Sequence, residues 1–238
     1  MFHPDDLVPP LLVLDCATET LHLGLAAAGR QWVCALPGGA QASVALLPGL
    51  MGLLEEAGLG LRELGAIGVG RGPGAFTGVR TACAVAQGLA LGAGLPVLAL
   101  DTLMAVAEDA RTAGAPEALW VAVDARMGET YSAHYRHGPQ GWQVLAAPAL
   151  HDPAALAARI PGAAVAGSSL LAHPEAWAGP GGARWPAAAP RAAALLALAQ
   201  AAWRRGERLD AAEALPLYVR DKVAQTTAER AAAREPAP

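Results

Sequence analysis

Two stretches of this chain, VLDCATETLHLGL (Val13 to Leu25) and AVDARMGETYSAHY (Ala122 to Tyr135), share one pattern. Each runs through an apolar strand, an Asp, a short polar turn, Glu-Thr, and then an alternating strand. Asp15 and Asp124 stand 109 residues apart, about half of the 238-residue chain. Self-similarity at half-length suggests a duplicated lobe. The length agrees, since it suits one large domain or two small lobes with a sizeable core. Hydrophobic residues at 54% against 16% charged describe a soluble globular protein with more apolar surface than usual.

Between the repeats, Leu64 to Leu100 reads as strand, glycine-rich loop, helix and strand. Ala66 to Val69 is a short buried-strand run, and Gly70, Gly72, Pro73 and Gly74 break regular structure. Thr77 is placed to cap a helix over Gly78 to Gly92, with Gly94 and Pro96 as its stop. Such a loop can hold an anion on backbone N–H groups. The P-loop pattern fails here, however, and Gly72, Gly74 and Gly78 are spaced one residue too long for a dinucleotide fingerprint. A structural turn is the preferred reading. The helix behind it carries Ala84, Gly88 and Gly92 on one nearly bare face, which lets another helix approach closely. The preceding helix, Ala42 to Ala57, carries two apolar stripes, Val44, Leu47, Met51 and Leu54 on one side and Leu46, Leu50 and Leu53 on the other. Pro48 is expected to kink it or to end a first turn. A helix lying on a sheet needs one stripe. The second is either buried in a large core or meets a partner.

Elsewhere the pattern predicts a three-strand meander over Leu11–Leu14, Leu21–Ala26 and Gln31–Leu36. Helices are expected at Thr102–Ala113, Asp152–Arg159 and Arg191–Arg205, and strands at Leu119–Val123 and Ala163–Ala166. Pro174 to Pro190 reads as loop, Leu215 to Val219 as extended, and residues from Thr226 as frayed. The implied division is a first lobe over 8–104, a second over 105–225 and a tail over 226–238.

Chemical signals are sparse. Net charge is −4 with a single lysine, Lys222, which argues against independent tight binding to nucleic acid or anionic membrane. Cys16, Cys34 and Cys83 have no C-x-x-C spacing and read as buried thiols of a reducing compartment. MFHPDDL lacks a signal-peptide pattern, and Val44 to Leu54 is too short to span a bilayer, so a cytoplasmic location is expected. The six histidines show no H-E-x-x-H, and no G-x-S-x-G elbow is present. His134 and His137 fall on opposite faces of a predicted strand and make a poor metal pair. Asp15 and Asp124 are the best acid candidates, able to hold a Mg²⁺-bound water or simply to cap their own turns; the cap is preferred. Arg71, Arg80 and Arg126 sit near turns. A scaffold or partner subunit fits this chemistry better than an enzyme.

VLDCATET, GRGPGAFTGVRTACAVAQGLALGAGLPVLALDTL, DARMGETY and LPLYVRDKVA, in that order along the chain, resemble the TsaB (YeaZ) family. The resemblance implies two α/β lobes of the actin/Hsp70/sugar-kinase (ASKHA) type. It also implies a part in forming threonylcarbamoyladenosine in tRNAs that read codons beginning with A. In that pathway the chemistry belongs to a paralogue, TsaD, with which TsaB-like chains pair, and an ATPase, TsaE, joins them. The catalytic paralogue carries His-x-x-x-His as metal ligands where this chain has Thr102 and Val106. At the family's first-helix His this chain has Ala42, followed by Ser43. The family's first two helices are associated with dimerisation, either with another copy or with the paralogue. The resemblance therefore implies no catalytic residue and no metal here. It implies a partner interface drawn from Val44, Leu47, Leu50, Met51, Leu54, Arg80, Cys83, Ala84, Gln87, Gly88 and Leu91. Asp15, Gly72, Gly74, Thr77 and Asp124 would be former phosphate or cleft positions. No cofactor is expected on the chain alone, with ATP and Mg²⁺ entering only in the complex, and tRNA is expected only through it. A stand-alone nucleotide-dependent enzyme of this fold, a glycoprotease-like hydrolase and a tRNA-binding module are the alternatives.

Overall fold

The structure, a computed structural model, describes residues 8–220. The expectations for residues from Thr226 onward, for MFHPDDL and for Lys222 lie outside the described residues. The first sheet comprises β1 (Leu11–Asp15), β2 (Thr20–Ala27), β3 (Arg30–Pro37), β4 (Ala66–Gly70) and β5 (Val97–Leu100), in the order β3-β2-β1-β4-β5. β1 to β3 form an antiparallel meander, and β4 and β5 continue the sheet in parallel with β1. The second sheet comprises β6 (Ala118–Asp124), β7 (Thr130–Gly138), β8 (Gly141–His151), β9 (Val165–Ala166) and β10 (Arg184–Trp185), in the order β10-β9-β6-β7-β8. It repeats the same plan, an antiparallel meander followed by two parallel strands. The half-length repeat is thus a repeat of topology, and the architecture is the two-lobed α/β fold.

β1 reads LLVLD because it is buried on both faces, which a central strand covered on both sides requires. Leu12 and Leu14 turn to one side, where they join Leu46, Leu50, Ala82 and Ala86 from α1 (Ala42–Ala57) and α2 (Phe76–Ala93). Leu11 and Val13 turn to the other side and meet Leu195, Leu196 and Ala199 of α6 (Ala192–Arg204). In the second lobe, Leu119, Val121 and Val123 pack on Leu103, Val106 and Ala107 of α3 (Thr102–Thr112). The opposite face receives Leu156 of α4 (Pro153–Arg159) and Leu170 of α5 (Ser169–Ala172).

These pairings correct the linear division at residue 105. The helix that ends the first repeat, α3, covers the second sheet, and the helix that ends the second repeat, α6, covers the first. Leu209 also returns to bridge Val97 of β5, and Ala211 and Ala214 join the first lobe's core. Each lobe is completed by the other's last helix, so neither is a continuous segment. Two local expectations change as well. α1 runs unbroken through Pro48, whose ring is on the exposed side. Thr77 lies inside α2, whose N-cap is Ala75 with no side-chain cap bond.

Candidate functional site

The glycine-rich loop between β4 and α2 is packed against the turn that follows β1. A side chain at Gly70 would run into the Asp15 carboxylate, one at Gly74 into Ala17, and one at Gly78 into the Cys16 carbonyl. Three of the loop's N–H groups are spent inside the chain. Arg71 donates to the Leu100 carbonyl at 3.0 Å, Ala75 to the Ala17 carbonyl at 2.8 Å, and Gly72 to the Thr102 hydroxyl at 3.0 Å. Gly72, at φ +96°, holds a left-handed conformation suited to glycine. These three donors are not free for an anion.

Beneath the loop, Asp15 is fully buried. Its Oδ1 accepts from the Ala17 N–H at 2.7 Å, and its Oδ2 accepts from the Thr102 hydroxyl at 2.6 Å. Burial raises the carboxyl to about 6, against the lowering effect of the Thr102 and Ala17 bonds. Thr102 stands where the resemblance places a metal-binding His, and its hydroxyl is already held between Asp15 and Gly72. Val106, the second such position, is buried in the second lobe's core and has no donor atom. This donor set does not fit a transition-metal site.

A cavity of about 660 Å³ lies between the lobes. Gly74 and Asp124 line it, and Asp15, Gly72 and Thr77 are not among its lining residues. Asp124 ends β6 much as Asp15 ends β1, with Oδ1 accepting from the N–H two residues on, that of Arg126, at 3.0 Å. The Asp124 N–H donates to the Ser168 hydroxyl, and His173 Nε2 lies 3.4 Å from Oδ1. Arg126 also crosses the mouth to Glu19 at 2.6 Å, but both side chains are largely exposed and the pair adds little. Glu19, Ser168, His173 and the Arg126 link were not singled out from sequence, although Glu19 and Arg126 sit in the repeated turns.

Two arrangements bear on hydrolase chemistry. Ser132 Oγ is 2.8 Å from His151 Nδ1, and Arg159 lies 2.9 Å from His151 Nε2. A guanidinium can only donate, so Nε2 accepts and Nδ1 carries the hydrogen toward Ser132. That is the wrong tautomer to activate the hydroxyl, and Ser132 is fully buried. The pair fastens β7 to β8. Burial pushes the Cys83 thiol up to about 11 and the Cys16 thiol higher still, which leaves neither as a thiolate nucleophile. His134 stacks on Trp120 and His137 meets Trp142 edge-on, and among the described residues no three His, Cys, Asp or Glu side chains converge as a metal site.

The outer face of α1 and α2 is different in kind. Val44, Leu47, Met51 and Leu91 are 77%, 46%, 48% and 79% exposed. Arg80, Ala84, Gly88 and Gly92 continue the same side of α2, and the space above Gly88 and Gly92 is open. Gln87, half-buried, donates to the Ala212 carbonyl. The Leu46, Leu50 and Leu53 stripe faces the sheet and takes Leu54 with it. Leu50, Leu54 and Cys83 are therefore core residues and are corrected as surface positions, because their side chains fill the space between helix and sheet. No helix among the described residues is long and apolar enough to cross a membrane.

Comparison with known proteins adds the family. Residues 39–186 match the model of the TsaD family, tRNA N6-adenosine threonylcarbamoyltransferase. The TsaB tRNA threonylcarbamoyladenosine biosynthesis protein of Escherichia coli is 47% identical over 97 residues, 40% of this chain and 42% of that protein. The Haemophilus influenzae protein of the same name is 40% identical over 121 residues, 51% of each. The matched stretches span about half the length of these curated relatives or less. The solved structure of YeaZ from Pseudomonas aeruginosa superposes with a TM-score of 0.80 at 36% identity, covering 88% of this chain and 99% of that one. With a family model over more than half its residues and that structural match end to end, this chain belongs to the TsaB (YeaZ) family.

Proposed function

We propose that this chain is a non-catalytic subunit in the formation of threonylcarbamoyladenosine in tRNAs reading codons that begin with A. It acts in the cytoplasm by docking a TsaD-like threonylcarbamoyltransferase and supporting it. The observation that carries the reading is the outward side of α1 and α2, two helices in contact, where Val44, Leu47, Met51 and Leu91 are exposed and Ala84, Gly88 and Gly92 are bare. Apolar area removed from water supplies roughly 25 cal/mol per Å² before association costs, and small residues allow a partner helix to come close. The same face serves a homodimer when the chain is alone. A TsaE-like ATPase joins the assembly, and tRNA is met only through it.

The site chemistry supports the non-catalytic half of the reading. Asp15 is sealed under Thr102, and three N–H groups of the glycine loop are committed within the chain, which leaves less with which to hold a nucleotide phosphate or metal in the manner of a catalytic relative. ATP and Mg²⁺ belong to the complex.

The test is reconstitution of the modification with tRNA, threonylcarbamoyl-adenylate and the catalytic chain, read by mass spectrometry of tRNA digests. Adding this chain raises product formation at least tenfold, and Ala84→Arg, which places a charge in the bare stretch, removes the gain. Equal product with and without this chain would end the proposal.

A further inference from the structure

We propose that the segment Leu215–Arg220 couples the docking helix α2 to the second lobe, so that partner docking and opening of the interlobe cavity are linked. The docking half of this inference rests on the function proposed above.

The segment has no regular secondary structure, and its residues reach different bodies in turn. Tyr218 faces α2: its hydroxyl accepts from Arg80 Nε at 2.6 Å, and its ring lies 5.8 Å from Phe76. The Arg80 guanidinium lies 3.7 Å over Phe76 and 5.4 Å from Tyr218, held between two rings at the start of the proposed docking stripe. The Leu217 N–H donates to the Arg71 carbonyl at 2.8 Å, which fixes the segment to the glycine loop of the first lobe. Val219 packs on the second lobe's core. Arg220 then donates to the Ala125 carbonyl at 3.1 Å and to Glu129 at 2.6 Å, both on the turn after β6. Leu217 and Val219 also line the cavity.

A rise in lobe separation therefore pulls on the short piece of chain anchored to Arg80 at one end and to Glu129 at the other. Either Arg220 leaves Glu129, or Tyr218 leaves Arg80 and the end of the docking stripe loses its support. A partner that grips Arg80 and Ala84 favours the state in which the segment is seated and the cavity closed.

The test acts on one end and reads the other. Glu129→Gln alters only the second-lobe anchor, with Arg220→Met as a second variant. Amide hydrogen exchange is followed at Leu217, whose bond is to the first lobe, and at Val121 in the second sheet. The coupling predicts about tenfold faster exchange at Leu217 in both variants, unchanged exchange at Val121, and three- to tenfold weaker binding of the catalytic chain. Unchanged exchange at Leu217, or equal acceleration at Val121, overturns the coupling. Wild-type chain that fails to bind the catalytic chain would retire the docking reading, while the Leu217 exchange decides the mechanical link by itself.

Discussion

Asp15 and His22 carry opposite and separable pH signatures. Burial raises Asp15 from the ordinary 3.8 to about 6, and lowers His22 from 6.5 to about 4 with the Arg191 charge adding to the effect. For Asp15 the folded chain holds its proton more tightly than the unfolded chain. Its contribution is therefore greatest below pH 4 and falls as pH rises toward 6. The shift of about two units corresponds to about 3 kcal/mol. For His22 the unfolded chain binds the proton first, so stability is present above about 6.5 and is lost as pH falls toward 4, again by about 3 kcal/mol. The two nearly cancel in the native protein. Single substitutions separate them. Relative to wild type, Asp15→Asn loses about 3 kcal/mol on going from pH 7 to pH 4, and His22→Asn gains a similar amount. Urea denaturation at half-unit pH steps measures both curves, and the carboxyl carbon resonance of Asp15 gives its midpoint directly. An Asp15 midpoint below 5, or two variants with parallel curves, would refute the sealed-carboxylate description.

Neighbouring residues on α1 and α2 give sharper contrasts. Leu46→Ala empties a fully buried position and costs about 2–5 kcal/mol of stability, whereas Leu47→Ala one residue on changes stability by less than about 0.5 kcal/mol yet weakens partner binding. Calorimetry with and without the partner separates the two. Gly88→Ala meets nothing and stabilises the isolated chain by roughly 0.5–1 kcal/mol, while Gly78→Ala drives a methyl into the Cys16 carbonyl and costs about 3 kcal/mol by thermal melting. Thr102→Val leaves the Asp15 carboxylate and the Gly72 N–H without their partner, at about 1–3 kcal/mol, and moves the Asp15 midpoint upward.

The repeat was legible because Asp15 and Asp124 do the same local work, each accepting from the N–H two residues ahead at the end of a central strand. The apolar double stripe of α1 was legible too, but not its orientation: Leu46 and Leu47 are the same residue type, and only the position of the sheet decides which is buried. β8 was missed because WQVLAAPAL has no clean alternation and its pairing with β7 is interrupted by bulges. β10 escaped notice because two residues cannot show a period. The exchange of α3 and α6 between lobes had no sequence signal, since both helices follow the strands that they do not cover. Nor could spacing tell that Thr102, 87 residues away, holds the proton against Asp15. Long-range hydrogen bonds leave no mark on local pattern.

The central claim is that the outer face of α1 and α2 exists to be covered by a catalytic relative. Isothermal titration of this chain with a TsaD-like chain measures that contact, using wild type, Gly88→Arg in the bare stretch, and Leu171→Arg on an equally open surface beside the cleft. The account predicts a saturable one-to-one complex with a negative heat-capacity change, at least about a hundredfold weaker for Gly88→Arg and unaltered for Leu171→Arg. Equal affinity for wild type and Gly88→Arg, with binding lost in Leu171→Arg, would contradict it.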